Sequence, residues 1–184
     1  AGHPGTGTSD IFSARSDVLY ISTHQGGIVP GTGPIDFVGR DGGEGFTVNI
    51  PLSSRCGDTT YEKAFDELVE PVISQFRPQA MLVSLGGDAH YMDPLATLTL
   101  SSPGFISLSD RLYELAKTHC EGIISFYLEG GYHIRALAEV VAGIMGRFCD
   151  RNLPLEFSKV YDGHIFGEEI IDRAREIQGS YWKV

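Results

Sequence analysis

Four short apolar runs, Val18 to Thr23, Phe46 to Ile50, Ala80 to Leu85 and Ile123 to Leu128, punctuate the chain, and helical periods lie between them. Most of these runs are continuous rather than alternating, which suits strands buried on both faces, as in parallel sheets. After the second run, Tyr61, Ala64, Phe65, Leu68, Val72, Ile73 and Phe76 keep helical spacing behind a Thr59-x-x-Glu62 capping box. Pro71 is expected to kink or split that helix. Leu108, Leu112, Leu115 and Ala116 mark a second helix, and Ile134, Leu137, Ala138, Val141, Met145 and Phe148 a third. Ile170, Ile171, Ala174, Ile177 and Tyr181 mark the last. Each right-handed crossover between parallel strands needs a helix to cover the sheet, so the predicted class is α/β, a parallel sheet flanked by helices. The 184 residues, 42% of them hydrophobic, suit a single domain spanning 1–184.

In an open α/β sheet, ligands gather beyond the carboxyl ends of the strands. Three such loops are polar and glycine-rich: His24-Gln25-Gly26-Gly27, Gly86-Gly87-Asp88-Ala89-His90-Tyr91-Met92-Asp93 and Glu129-Gly130-Gly131-Tyr132-His133. The segment His3 to Thr8 reads as a further loop of the same kind, and the long glycine-rich stretch from Gly26 to Gly45 is expected at that edge too. Imidazole, carboxylate and phenol groups converging there suit a metal hydrolase, because His and Asp bind zinc while a Tyr hydroxyl polarises a carbonyl. A purely structural reading is as consistent with the pattern: Asp88 caps a turn, His90 packs under a loop, and Tyr132 is an ordinary half-buried aromatic.

A net charge of −10 opposes phosphate backbones, so nucleic acid is not expected as a partner. No apolar run reaches a membrane span, and no membrane partner is expected. Cys56, Cys120 and Cys149 are odd in number and widely spaced, which reads as buried thiols in a reducing, cytoplasmic setting.

Read in order, Gly5-Thr6-Gly7-Thr8-Ser9-Asp10-Ile11-Phe12, Val18 to Gln25, Pro30-Gly31-Thr32-Gly33, Gly45 to Leu52, Gly87-Asp88-Ala89-His90 with Asp93-Pro94-Leu95-Ala96, Leu128-Glu129-Gly130-Gly131-Tyr132 and Ile177 to Trp182 resemble successive blocks of the histone deacetylase and acetylpolyamine amidohydrolase superfamily, class II-like. The resemblance covers essentially the whole chain and implies the carboxyl-terminal part of an arginase/deacetylase-like three-layer fold. By position, His3 and Asp88 match two of the family's zinc ligands and Tyr132 its carbonyl-polarising tyrosine. Gly130, Gly131 and His90 belong to the loops around the substrate, and Ser22 and Thr23 match a stretch that contributes to a monovalent-cation site. In the implied mechanism, zinc and the tyrosine polarise an acetyl amide, of acetyl-lysine or an acetylpolyamine, while a histidine-assisted water attacks.

Departures from the family pattern shape the expectation. Ala1 stands where the family has a zinc-binding aspartate, and Val29 where it has an aromatic. The family's paired catalytic histidines lie upstream of this segment, and neither His24 nor His90 takes their place. Zinc is therefore expected to bind weakly or not at all to this chain alone. In the family's sheet order, a strand just before residue 1 would separate the first and third strands read here, so a gap is expected between them. The missing amino-terminal half, or a second copy of the chain, is an expected partner. Two functions stand: an acetyl-amide hydrolase when complete, with this chain carrying part of its site, or an inactive deacetylase-derived binding or assembly module. An unrelated α/β protein is the remaining alternative.

Overall fold

A computed structural model of the chain describes residues 2–28, 31–161 and 164–184. Four strands form where the apolar runs place them: β1 (Tyr20–Gln25), β2 (Thr47–Leu52), β3 (Met81–Gly86) and β4 (Ile124–Gly130). They pair in parallel, β1 with β2 and β3 with β4, as two separate two-stranded sheets among the described residues. The expected gap thus falls between β1 and β3. Thr23 on one side and Val83 to Gly86 on the other line a cavity of about 90 Å³ there, floored by Tyr61, Phe65 and Leu108.

The helices are α1 (Thr6–Phe12), α2 (Asp58–Ala64), α3 (Glu70–Phe76), α4 (Ser102–His119), α5 (Ile134–Phe148) and α6 (His164–Gln178). A π-helical turn, Phe65–Val69, joins α2 to α3 immediately ahead of Pro71. Proline lacks the N–H that would continue the α ladder, and the chain absorbs the mismatch by widening one turn.

The Thr59-x-x-Glu62 capping box does not form: Gly57 is the N-cap of α2, and Thr59 already lies inside the helix. Asp58 turns instead toward α4, where its carboxylate accepts the Ser101 N–H at 2.7 Å and the Ser101 hydroxyl at 2.5 Å. Ser101 in turn caps α4 by accepting the Gly104 N–H at 3.1 Å. Helix α1 replaces part of the loop expected over residues 3–8, and its seven residues are too few to show a helical period in sequence.

Strand β2 is almost wholly buried, with α6 packed against it. Gln178 of α6 donates to the Thr47 carbonyl at 3.0 Å, and the Trp182 indole N–H to the Gly45 carbonyl at 2.8 Å. One face of the β3–β4 pair meets α4 and α5, with the Phe126 and Phe148 rings 5.5 Å apart. The other face is bare: Leu82 is 74% exposed and Tyr127 52%. Continuous apolar runs predict burial on both faces, and for this pair that expectation fails because no described element covers the second face. Cys56 and Cys120 are buried as expected, whereas Cys149 is exposed at the end of α5.

Candidate functional site

Three loops meet at the carboxyl ends of β1, β3 and β4. Beyond β3 the chain makes a short 3-10 turn, Gly87–Ala89, that buries the Asp88 carboxylate. One Asp88 oxygen accepts the Gly2 N–H at 2.7 Å, and the other stands 3.5 Å from Nδ1 of His3, whose side chain is 53% exposed. Gly2 fits because it lacks a side chain, since a Cβ there would lie 2.8 Å from the Asp88 carboxylate and 3.2 Å from the Ala96 Cβ. Gln25, at the end of β1, holds the same strip by donating its N–H to the Gly2 carbonyl at 3.1 Å and accepting the Thr97 N–H at 2.8 Å.

Beyond β4, Gly130 carries the chain past Asp88: a Cβ built on it would lie 3.7 Å from an Asp88 oxygen and 3.8 Å from the Tyr132 hydroxyl. Asp88 and the phenol therefore flank a common point. Tyr132 is 55% exposed. Gly131 adopts φ 126°, a conformation that L side chains rarely take, and lies against Gly87 backbone to backbone.

The two internal histidines, His24 and His90, are buried and hydrogen-bonded at both ring nitrogens. His24 donates from Nε2 to the Gly33 carbonyl at 3.1 Å and accepts the Ser22 hydroxyl at Nδ1 at 2.9 Å. His90 accepts the Met92 N–H at Nδ1 at 3.1 Å, so its proton sits on Nε2, which donates to the Ser102 hydroxyl at 3.2 Å. Burial pushes both histidines down to about 4, against the weaker upward pull of a carbonyl on His24 and of the Glu139 charge on His90. For Glu139, burial works upward, but the Ser102 hydroxyl and the Glu156 and Phe157 N–H groups outweigh it and the carboxyl is held low.

The long loop after β1 reaches this edge only in part. Thr32 and Gly33 lie against the segment that carries His3, through a Thr6–Thr32 hydroxyl contact of 2.8 Å and the close approach of Gly33 to Pro4. Its later residues turn away, and the Arg40 N–H donates to the Ser13 carbonyl at the end of α1. Val29 and Ala1, both sites of departure from the family pattern, lie outside the described residues.

As a zinc site the arrangement is short of donors. His3 and Asp88 come together as the resemblance implies, but no group of three His, Cys, Asp or Glu residues that could hold a metal occurs among the described residues. Catalytic zinc takes three protein ligands and a water, and an alanine at position 1 has no donor side chain. The residues present do not fit that ion.

Sequence reasoning assigned no role to Asp93, Gln25, Ser102 or Glu139. Asp93 was the legible one, because Asp-Pro ahead of a short loop signals an aspartate that bonds the backbone two residues on. Gln25, Ser102 and Glu139 carry no local signal, because their partners lie far away in sequence.

A parallel α/β domain with a buried carboxylate, an imidazole and an exposed phenol gathered at the carboxyl edge of its strands places polar groups where open α/β sheets hold ligands. The histone deacetylase domain model matches residues 2–147, and the chain belongs to that family. It is 43% identical over 140 residues to histone deacetylase 14, chloroplastic, of Arabidopsis thaliana, covering 76% of this chain and 33% of that protein. It is 35% identical over 193 residues to a probable deacetylase of Archaeoglobus fulgidus, covering 98% of this chain and 54% of the relative. The crystal structure of the HDA15 HD domain superposes with a TM-score of 0.86 at 32% identity, covering 98% of this chain and 49% of that one. The chain thus spans about a third to a half of these three proteins, and its fold is the corresponding part of the arginase-like deacetylase architecture.

Proposed function

We propose that this chain carries the Asp88, His3 and Tyr132 part of an acetyl-amide hydrolase acting on acetyl-lysine or acetylpolyamines, and that by itself it is catalytically incomplete. The observation that supports this reading is the placement of Asp88 and the Tyr132 hydroxyl about the same point beside Gly130, with His3 Nδ1 3.5 Å from the Asp88 oxygen that faces that point. In such a site Tyr132 donates a hydrogen bond to the acyl oxygen as negative charge grows on it, and oxyanion donors of this kind are worth roughly 10²–10³ in rate. The bare face of β3–β4 and the gap between β1 and β3 support a partner, the remaining half of a deacetylase domain or a second copy, while the net charge of −10 argues against nucleic acid. No helix among the described residues is long and apolar enough to cross a membrane, and three free thiols support a cytoplasmic setting. A second reading, an inactive deacetylase-derived binding module, rests on Ala1 standing where the family has a zinc-binding aspartate.

The test compares the chain alone with a fusion that joins the amino-terminal part of the Archaeoglobus fulgidus relative to this chain bearing Ala1→Asp. The expected result is little zinc in a colorimetric assay and no acetate release for the chain alone, with zinc uptake and turnover of a fluorogenic acetyl-lysine substrate for the fusion. Asp88→Ala and Tyr132→Phe should each lower kcat/KM of the fusion by about 10²-fold or more. A folded, zinc-loaded fusion without turnover would sink the hydrolase reading and leave the binding module.

A further inference from the structure

Tyr132 is the group whose placement the proposed chemistry needs most, yet its ring is over half exposed. What fixes it is the backbone. Gly131 and Gly87 meet so closely that a Cβ on Gly131 would lie 3.0 Å from the Gly87 Cα, which locks the loop after β4 onto the loop after β3. One residue on, the Tyr132 N–H donates to an Asp93 carboxylate oxygen at 2.6 Å. The other Asp93 oxygen accepts the Leu95 N–H at 2.9 Å, so both oxygens are engaged, and the side chain is buried.

Asp93 is itself presented rigidly. Its N–H donates to the His90 carbonyl at 2.8 Å, closing a tight turn whose Met92 N–H is taken by the His90 ring. That ring is stacked on Tyr91 at 4.6 Å and tied through Ser102 to α4. The carboxylate thus connects a turn anchored on α4 to the main chain of the tyrosine.

We propose that Asp93 is a positioning residue for Tyr132: its carboxylate sets the Tyr132 backbone, and with it the direction of the phenol relative to Asp88. The latch is a property of the chain as it stands, and its catalytic consequence rests on the hydrolase reading above. A charge-assisted bond to a partly buried N–H is strong enough to control local opening, whereas an aspartate that merely shaped its own turn would affect Leu95 alone.

Amide hydrogen exchange read by NMR on the whole chain separates these cases. Asp93→Ala should speed exchange at Tyr132 by about ten- to a hundred-fold, the loss expected for a hydrogen bond to a charged group, while β2 amides stay protected. Asp93→Asn, which keeps the shape and one acceptor oxygen, should rescue part of that protection and serves if the alanine variant does not fold. Unchanged exchange at Tyr132 in both variants, with Leu95 alone released, overturns the assignment. In the active fusion, Asp93→Asn should lower kcat with little change in KM. Raised exchange with unchanged kcat would leave the latch standing and count instead against a chemical role for Tyr132.

Discussion

The β1–β2 pair and the β3–β4 pair share strand length, parallel pairing and a polar loop at their carboxyl ends, yet they differ in how they are buried. In β2, Val48, Ile50 and Leu52 have no exposed surface, and even Thr47 and Asn49 are buried. In β3–β4, Leu82, Tyr127 and Leu128 stand open, with Leu128 58% exposed. The difference shows that a strand's apolar character reports the environment its sequence is suited to, and a neighbouring element must be present to supply that environment. The two pairs are held together by helices, with α2 and α3 meeting α4, and no strand ladder joins them among the described residues.

The sharpest way to break the comparison is to delete matched side chains. Ile50→Ala, in the fully buried strand, should cost about 2–5 kcal/mol, the sum of lost transfer energy and an unfilled cavity. Leu82→Ala should change stability by no more than about 0.5 kcal/mol, since its side chain is already wet. Urea unfolding of both variants checks this. Comparable losses would mean that the open face of β3 is covered in solution.

Acid should act on both halves alike, because each holds one buried histidine, His24 at the end of β1 and His90 after β3. Both are held near 4, below the ordinary 6.5, so as pH falls the unfolded chain takes up protons before the folded one does. Their contribution is complete above about pH 6.5 and is lost progressively as pH falls toward 4, by about 1–3 kcal/mol for each histidine. Denaturant midpoints measured from pH 7 to pH 4 should show this slope, and His24→Gln and His90→Gln should each remove one share of it. A slope that survives both substitutions would assign the acid sensitivity to the carboxylates.

The smallest expected effect concerns a tie between the halves. Arg111 of α4 reaches Glu70 and Asp66 on the α2–α3 segment, each at 2.5 Å, and lies 5.4 Å over the Phe65 ring. Arg111→Ala should cost about 0.5–1.5 kcal/mol, partly screened at high salt, because the network is half-exposed and its cation–π contact is modest. Thermal melts at low and high salt would show it. A loss that does not diminish with salt would assign the tie to packing of the Arg111 stem.

Composition and pattern by themselves determined the α/β class, the four strands to within two residues of their carboxyl ends, and the three loops that carry chemistry. Those features follow from local periodicity, which is written in the side chains of each segment. The roles of His3, Asp88 and Tyr132 came from ordered resemblance, and the structure brings the three to one edge. Only the tertiary structure decided that one face of the β3–β4 pair stands bare, that Asp58 serves α4 rather than its own helix, and that His90 is an anchor whose turn presents Asp93 to Tyr132. Each of these depends on partners tens of residues apart, such as Asp93 with Tyr132 or Gln178 with Thr47. A hydrogen bond across such a distance leaves no period in the sequence, because its geometry exists only once helices and strands have packed and excluded the water that would otherwise satisfy both groups.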